Sequence, residues 1–270
     1  MPRLAANLSL MFNEIDFLDR FAAARKQGFA AVEYLFPYAF PKAELAARLK
    51  GEGLQQVLFN APPGDFDAGE RGFAGVPGRE GEFRRSLDIA LDYAQALNCP
   101  RIHVMAGNVP KGASVDAHRA TFIANLQAAS PLAKQAGVQL MVEALNPTDF
   151  AGYLVGSLET ALDVIAAVGS DNVFLQYDLY HCQMMRGQLA ATMRDKLALI
   201  RHMQIAGVPG RNEPDSAQEI NYPALFALMD ELGYQGWVGC EYRPRGDTVA
   251  GLAWAAPWKI GPGRQNGPAH

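Results

Sequence analysis

The chain has 270 residues, of which 49% are hydrophobic and 19% are charged. This composition excludes long disordered regions and predicts a folded protein with a sizeable core. The formal net charge of −4 is too small to favour a nucleic-acid partner. No apolar run approaches the roughly 20 residues of a membrane span, and Glu14 and Asp16 interrupt the N-terminal stretch before it resembles a signal peptide. We therefore expect a cytoplasmic protein without a membrane partner.

Apolar runs of strand length alternate with helix-period segments along the whole chain. The pattern predicts strands at 4–10, 31–35, 55–60, 101–105, 138–142, 173–177, 200–205 and 236–240. It predicts helices at about 14–27, 42–50, 79–97, 116–136, from 157 onwards, and at 188–196, 222–232 and 247–254. Such alternation indicates parallel strands that are joined by helical crossovers.

The predicted fold class is α/β, with a single (β/α)8 TIM barrel over residues 1–258 and a flexible tail over 259–270. Eight units in 270 residues correspond to about 34 residues each, the size expected for this barrel. A doubly wound sheet usually has a Gly-rich turn after its first strand, and NLSLMFNEID contains no glycine. The barrel is therefore favoured, and no nucleotide cofactor is predicted.

The segment 61–78, between the third strand and its helix, is unusually long for a compact domain. Loops of that length are often functional. Glu70 and Arg71 in this segment are predicted to contact substrate as part of a lid over the site. The alternative is that they form an ion pair that only orders the loop.

Four consecutive units place an oxygen-bearing side chain at the end of their strand, where barrel enzymes carry their chemistry. These residues are Glu143, Asp178, Gln204 and Glu241. Three carboxylates that converge in one place repel one another unless a cation or a proton is bound among them. The sequence therefore predicts a divalent metal with oxygen ligands, with Mg²⁺ or Mn²⁺ favoured over Co²⁺ or Fe²⁺.

Other polar residues lie close to these strand ends in the sequence. His181, on the expected loop after strand six, is a candidate to hydrogen-bond a substrate hydroxyl. Arg211, on the loop after strand seven, is a candidate to bind a substrate carboxylate; a surface ion pair is the alternative. His202 is expected one layer below the metal, and His103 is expected to pack in the core.

Three cysteines, Cys99, Cys182 and Cys240, are widely spaced and form no CxxC pair. This spacing predicts neither a disulfide framework nor a thiolate zinc site. We expect reduced, buried thiols.

The chain resembles the hydroxypyruvate isomerase family, which shares a xylose-isomerase-like barrel. The resemblance covers nearly the whole chain and includes PPGDFDAGERGFAGVPGREGEFR, MVEALN, LQYDLYHCQMMRG, IRHMQIAGVPGR and GWVGCEYRPRG. The motifs GDFDAGERG and GWVGCEY are typical of that family and of its close relatives, the 2-oxo-tetronate isomerases. The loop after strand seven differs, because it reads RNEPDSAQEINY where the family usually has RGEPGTGEINY.

The resemblance implies interconversion of hydroxypyruvate and 2-hydroxy-3-oxopropanoate (tartronate semialdehyde). It implies that Glu143 and Glu241 are the catalytic proton donor and acceptor, and that Glu143, Asp178, Gln204 and Glu241 are the metal ligands. Two carboxyl groups suit proton transfer through an enediolate, the intermediate that moves a carbonyl between adjacent carbons.

Several alternatives stay open at this stage. The same residues suit a 2-oxo-tetronate isomerase or a ketose 3-epimerase, and related barrels can shift a hydride instead of a proton. A barrel that only binds a sugar acid and an endonuclease of the same superfamily are also alternatives. The expected partner is a small 2-oxo or hydroxy acid, and assembly into a homo-oligomer is compatible with the sequence.

Overall fold

The structure is a computed structural model that describes residues 1–262. Eight parallel strands form a closed barrel in sequence order, with the last strand paired to the first. The strands are β1 Arg3–Asn7, β2 Ala31–Glu33, β3 Gln55–Asn60, β4 Arg101–His103, β5 Gln139–Glu143, β6 Val173–Asp178, β7 Ile200–Ile205 and β8 Trp237–Cys240. The predicted (β/α)8 barrel is confirmed.

Helices connect the strands on the outside of the barrel. They are α1 Arg20–Lys26, α2 Lys42–Glu52, α3 Glu80–Ala96, α4 Val115–Gln135, α5 Leu158–Val168, α6 Leu179–Met185, α7 Leu189–Lys196, α8 Tyr222–Glu231 and α9 Thr248–Gly251. Two short 3-10 helices cover Phe17–Asp19 and Leu252–Trp258. Ser157 caps α5 by accepting a hydrogen bond from the Thr160 amide at 3.1 Å, as the sequence predicts.

The interior of the barrel changes character from bottom to top. A small apolar cluster fills the lower end and consists of Ala5, Ala31, Val57 and Trp237. Higher up, the interior residues are polar and buried; they include Asn7, Glu33, Gln176, His202 and Gln204. This polar layer lies near the carboxyl ends of the strands, since Asn7 and Glu33 are the last residues of β1 and β2.

Three segments differ from the sequence prediction, and one is the expected helix over 247–254, which is α9 followed by the 3-10 helix Leu252–Trp258. The expected helix over 14–27 is instead the 3-10 turn followed by α1, because the Glu14 carboxylate accepts hydrogen bonds from the amide and hydroxyl of Thr248. The segment after strand six, expected as a loop, is α6. Asp178 ends β6 and also caps this helix, since its Oδ1 accepts hydrogen bonds from the amides of Tyr180 and His181.

The predicted tail over 259–270 falls mostly on residues 263–270, which lie outside the described residues. Among residues 1–262, none of the helices is long and apolar enough to cross a membrane. Cys99, Cys182 and Cys240 are buried and free, in agreement with the expected thiols.

Candidate active site

A cavity of about 520 Å³ opens at the carboxyl ends of the strands. Three acidic residues line it, Glu143, Asp149 and Glu241. One wall is apolar and includes Leu10, Leu35, Phe36 and Phe66. Three basic residues also line it, Arg71, Arg211 and Arg243. The cavity therefore combines acidic groups that can exchange protons with basic groups that can bind an anion.

Three carboxyl groups meet at the base of this cavity and form what we call the carboxylate cluster. Glu143 is the last residue of β5, Asp178 is the last residue of β6, and Glu241 directly follows β8. All three side chains are buried. Like charges at such positions are unfavourable without a cation or a bound proton.

The pKa values of the cluster reflect this environment. Burial raises the pKa of Glu143 well above its usual range, and repulsion from Glu241 and Asp178 raises it further. Burial raises the pKa of Glu241 to about 8, although Arg211 acts against the rise. Burial also raises the pKa of Asp178, again opposed by Arg211. At neutral pH the cluster therefore retains a proton unless a cation replaces it.

Arg211 is the internal cation of the cluster. Its Nη2 donates to Oε2 of Glu241 at 2.6 Å and lies 3.5 Å from Oδ2 of Asp178. Burial alone would lower the pKa of Arg211, but these carboxylates outweigh burial and raise it. The backbone at Arg211 has φ +53°, a left-handed conformation that costs of order 1–3 kcal/mol outside glycine. Arg211 thus pairs with protein carboxylates through Nη2, while its Nε is buried without a hydrogen-bond partner among the described residues. Its contact with a substrate carboxylate stays a prediction.

His181 lies in α6 and is buried beside Asp178, with its Nε2 at 3.6 Å from Oδ2 of Asp178. The Asn146 amide donates to Nδ1 of His181 at 3.2 Å, so Nδ1 is an acceptor. Burial lowers the pKa of His181 well below its usual range, and the ring is neutral. A neutral ring whose Nδ1 accepts carries its proton on Nε2. His181 therefore presents an N–H donor to the site rather than a metal-ligating lone pair.

The unpaired atoms of the cluster fit a divalent cation. Glu143, Asp178 and His181 each have a ligand-type atom within 4.8 Å of the others. Among the described residues, Oε1 of Glu143 and Oδ2 of Asp178 are buried without a hydrogen-bond partner. Buried acceptors without donors are rare in proteins, and a proton, a water molecule or a cation can supply the missing partner. Because His181 is a donor, the carboxylate oxygens are the groups that could hold the metal.

Gln204, the fourth predicted metal ligand, has a different environment. Its amide nitrogen donates to Oε1 of Glu33 at 2.8 Å, and its amide oxygen accepts from Gln176 at 2.7 Å. Both ends of the side chain are thus hydrogen-bonded within the polar layer. Its role as a metal ligand stays a prediction. His202 lies below, as expected, with Nε2 at 2.5 Å from Oε2 of Glu33.

His103 was expected to pack in the core, but it lines the cavity as well as being buried. Its Nδ1 lies 3.4 Å from Oε2 of Glu143. Burial lowers the pKa of His103 to about 3, so the ring is neutral and can only orient Glu143 through a hydrogen bond. The sequence placed His103 inside strand four but gave no sign that its neighbour would be Glu143.

The two residues of the 61–78 loop have separate positions. Glu70 accepts a hydrogen bond from the Asp65 amide at 2.6 Å and forms an ion pair with Arg79. Arg71 stacks on the Phe66 ring at 3.8 Å and lines the cavity. Glu70 therefore orders the loop, and Arg71 is the member of the pair that faces the site.

The sequence interpretation missed three residues at or beneath the site: Glu33, Gln176 and Arg243. Arg243 lines the cavity, and no described hydrogen bond or ion pair involves its guanidinium. Because Arg243 comes two residues after Glu241, the sequence could have indicated that it lies near the site. Glu33 and Gln176 lie inside strands that read as apolar, and only the closure of the barrel brings them together.

Buried carboxyl groups beside an arginine-lined cavity over the carboxyl ends of a closed barrel are typical of an enzyme of the TIM-barrel class. Comparison with known proteins narrows this class. Residues 21–258 match the xylose isomerase-like TIM barrel family, and the chain belongs to that family.

Full-length relatives agree with this assignment. The chain is 52% identical to a 2-oxo-tetronate isomerase of Cupriavidus necator, over 96% of this chain and 99% of the relative. It is 42% identical to a hydroxypyruvate isomerase of Escherichia coli, over 96% of this chain and 100% of the relative. The crystal structure of a protein named AP endonuclease, family 2, from Brucella melitensis has 48% identity and a TM-score of 0.93, over 96% of this chain and 99% of that one.

Proposed function

We propose that this enzyme isomerises short 2-oxo acids and that it interconverts hydroxypyruvate and 2-hydroxy-3-oxopropanoate. The observation that carries the proposal is the pair of buried carboxyl groups that line the cavity, Glu143 and Glu241, whose pKa values are raised by burial. They follow strands β5 and β8, three strands apart, and so reach the cavity from different sides. One carboxyl group can therefore take a proton while the other gives one.

The reaction requires a proton to leave C3 of hydroxypyruvate and a proton to arrive at C2. The ionised glutamate accepts the C3 proton, and the electron pair left behind forms the C2–C3 double bond of an enediolate. The C2 oxygen takes up the proton of the C3 hydroxyl, the other, protonated glutamate donates its proton to C2, and the C3–O bond becomes the new carbonyl. Raised pKa values suit both steps, because each group must exist in either protonation state near neutral pH.

His181 contributes a hydrogen bond to the oxygen on which negative charge develops. Its neutral ring carries the proton on Nε2, and that nitrogen is buried without a hydrogen-bond partner among the described residues. A donor held in place before the reaction stabilises an oxyanion without reorganisation. A neutral imidazole can serve this purpose, as it does in other barrel isomerases.

We also propose a divalent cation, Mg²⁺ or Mn²⁺, held by the carboxylates of Glu143, Asp178 and Glu241, with Gln204 as the predicted fourth ligand. Such a cation supplies Lewis-acid stabilisation of negative charge on substrate oxygens. The unpaired oxygens of Glu143 and Asp178 support it. A glutamate that binds a cation through one oxygen retains its other oxygen for proton transfer.

The substrate carboxylate is bound at the basic part of the cavity. Glu143 and Glu241 repel an anion, and Arg211 is engaged by Glu241 and Asp178. Arg71 and Arg243 line the same cavity and are the remaining arginines there. We therefore assign the carboxylate to Arg71 and Arg243, which leaves C2 and C3 to the two glutamates.

A 2-oxo-tetronate is the second candidate substrate. The relative with 52% identity has that name, whereas the hydroxypyruvate isomerase of Escherichia coli is 42% identical. The cavity of about 520 Å³ also leaves room for one further hydroxymethyl group. The same proton transfer between C3 and C2 would isomerise this four-carbon acid.

The test is proton NMR of the purified protein in D₂O with hydroxypyruvate and, separately, with 2-oxo-tetronate, each with and without EDTA. We expect isomerisation with deuterium at the carbon that receives the proton, and loss of the reaction in EDTA that added Mn²⁺ restores. Product without solvent deuterium, formed by a Glu143→Gln variant, would show a hydride shift instead. Cleavage of DNA with abasic sites, without turnover of either acid, would favour the activity for which the Brucella protein is named.

A cytoplasmic location and a homo-oligomer stay predictions. Sedimentation analysis of the purified chain tests the second.

A further inference from the structure

Glu33 is a buried carboxylate beneath the carboxylate cluster, and its surroundings differ from those of the cluster. Its Oε1 accepts hydrogen bonds from Nδ2 of Asn7 at 2.9 Å and from Nε2 of Gln204 at 2.8 Å. Its Oε2 lies 2.5 Å from Nε2 of His202. These contacts join strands β1, β2 and β7 inside the barrel.

The carboxylate of Glu33 determines the orientation of the Gln204 amide. Oε1 of Glu33 accepts from the amide nitrogens of both Asn7 and Gln204, so the Gln204 amide turns its NH₂ group towards Glu33. The oxygen of Gln204 then faces the other way and accepts from Nε2 of Gln176 at 2.7 Å. Gln176 in turn has its NH₂ group committed to Gln204. The chain of hydrogen bonds therefore starts at the accepting oxygen of Glu33 and runs through Gln204 to Gln176.

The chain ends in an amide oxygen. Oε1 of Gln176 is buried without a hydrogen-bond partner among residues 1–262, and Gln176 lines the cavity. Gln176 is paired in register with Glu143 on the neighbouring strand. An unpaired acceptor therefore lies next to the carboxylate cluster, whose own unpaired atoms include Oε1 of Glu143 and Oδ2 of Asp178.

We propose that Glu33 is a positioning residue that acts through Gln204 to turn the amide oxygen of Gln176, rather than its N–H, towards the cation held by the carboxylate cluster. This inference rests on the cation of the proposed function but not on the identity of the substrate. If the amides were reversed, Gln176 would offer an N–H to Glu143, which would satisfy the carboxylate and compete with a cation. Glu33 thus keeps this side of the site free of donors.

Gly239 on β8 makes room for Glu33. A Cβ atom at position 239 would lie 2.3 Å from both carboxylate oxygens of Glu33, which is closer than real contacts allow. This clash explains why the last residue of the GWVG segment, Gly239, is a glycine. It allows a glutamate on β2 to reach the axis of the barrel and contact Gln204 on β7.

The experiment measures Mn²⁺ affinity without substrate, from the electron paramagnetic resonance signal of free Mn²⁺. Glu33→Gln removes the group that fixes the amide direction, and Gln176→Met removes the terminal oxygen but leaves Glu33 and Gln204 in place. Outer-shell substitutions typically weaken metal binding by about 10–100-fold, and we expect a loss of about tenfold or more for Glu33→Gln and a measurable loss for Gln176→Met. Asn7→Ala is the matched control, since it removes a hydrogen bond to Glu33 but leaves the amide direction unchanged.

Wild-type Mn²⁺ affinity in Glu33→Gln would overturn the proposal. So would a loss in Glu33→Gln together with wild-type affinity in Gln176→Met, because Glu33 would then act only through its charge. An equal loss in Asn7→Ala would indicate general damage to the polar layer and would also overturn it. If Glu33→Gln does not fold, Gln176→Met decides alone. Because substrate is absent, failure here leaves the isomerase proposal intact, and failure of the isomerase assay leaves this result intact.

Discussion

The barrel contains two sets of buried carboxylates whose hydrogen-bonding environments differ. Glu33, in the polar layer, is contacted by nitrogen atoms from Asn7, Gln204 and His202. Glu143, in the carboxylate cluster, has an oxygen without any partner among the described residues, and so does Asp178. Both sets are about equally buried. Burial alone therefore does not distinguish a structural carboxylate from a reactive one.

The number of available donors makes the difference. A buried carboxylate with several N–H donors is stable as an anion and can serve as a fixed point of the structure. A buried carboxylate without donors must acquire a proton, a metal or a substrate group. The cluster thus has carboxylate oxygens that can still bind a proton, a metal or a substrate group. They lie at the carboxyl ends of the strands, where the cavity gives a substrate access.

The largest expected effect is on turnover. Glu143→Gln and Glu241→Gln remove a titrating group at nearly constant volume, and each should lower kcat by about 10²–10⁴, the usual contribution of general acid–base catalysis. The fold should persist, because an amide relieves like-charge repulsion in the cluster. Steady-state kinetics and circular dichroism measure the two quantities.

Glu219→Gln is the matched control, because Glu219 is exposed and does not line the cavity. It should retain wild-type kcat. If a folded Glu143→Gln or Glu241→Gln variant retains more than a few per cent of wild-type kcat, the paired-carboxylate mechanism is wrong.

The second effect is stabilisation by a divalent cation. A ligand that binds only the folded state raises the free energy of unfolding by about 2.7 kcal/mol at a hundredfold excess over its Kd. Mn²⁺ should therefore raise the Tm of chelator-treated protein, and Asp178→Ala should abolish the increase. Differential scanning calorimetry provides the measurement. An unchanged wild-type Tm with Mg²⁺, Mn²⁺, Co²⁺ and Fe²⁺ would contradict the cation site.

The third effect is on the pH dependence of stability without metal. The pKa of Glu241 is raised to about 8, so the folded chain retains a proton that the unfolded chain releases near pH 4.5. The free energy of unfolding must then decrease as pH rises between these values, and the loss between pH 6.5 and 8 is about 2 kcal/mol for one group. The window starts at 6.5 because His103 and His181, whose pKa values are lowered, destabilise the fold only below that pH.

Urea unfolding at several pH values measures this slope, and Glu241→Gln should reduce it. Saturating Mn²⁺ should reduce it as well, because a cation replaces the proton as counter-charge. A slope that is the same in Glu241→Gln and wild type would mean that Glu241 does not hold the proton.

The strand positions and the grouping of the cluster carboxylates could be predicted from the sequence. Apolar runs bounded by polar residues locate strand ends, and a parallel barrel brings all carboxyl ends to one face. Glu143, Asp178 and Glu241 could thus be placed together without any knowledge of long-range contacts. Their catalytic and metal-binding roles stay predictions.

The polar layer could not be predicted, because its contacts join residues far apart in sequence. Glu33 and Gln204 are separated by 171 positions and meet only when the barrel closes. Helix α6 was missed for a local reason, since Asp178 is both the last strand residue and the helix cap. The ion pair of Arg211 with Glu241 could not be predicted either, because these residues are brought together only by the loops after β7 and β8.

The smallest expected effect concerns Arg243, and it sharpens the contrast between arginines that serve the fold and arginines that serve the substrate. Arg211 is paired to two carboxylates, whereas Arg243 is exposed at the cavity and its guanidinium has no described partner. A hydrogen bond to a charged group contributes about 1.5–3 kcal/mol, and exposure places Arg243 at the low end, so Arg243→Gln should raise KM about tenfold. Because this contact is the same in the ground state and the transition state, kcat should hardly change.

Arg243→Lys should recover part of the loss, and Arg25→Gln, at an exposed position on α1, should leave KM unchanged. A decrease in kcat at constant KM would place Arg243 at the reacting carbons and contradict its assignment to the carboxylate.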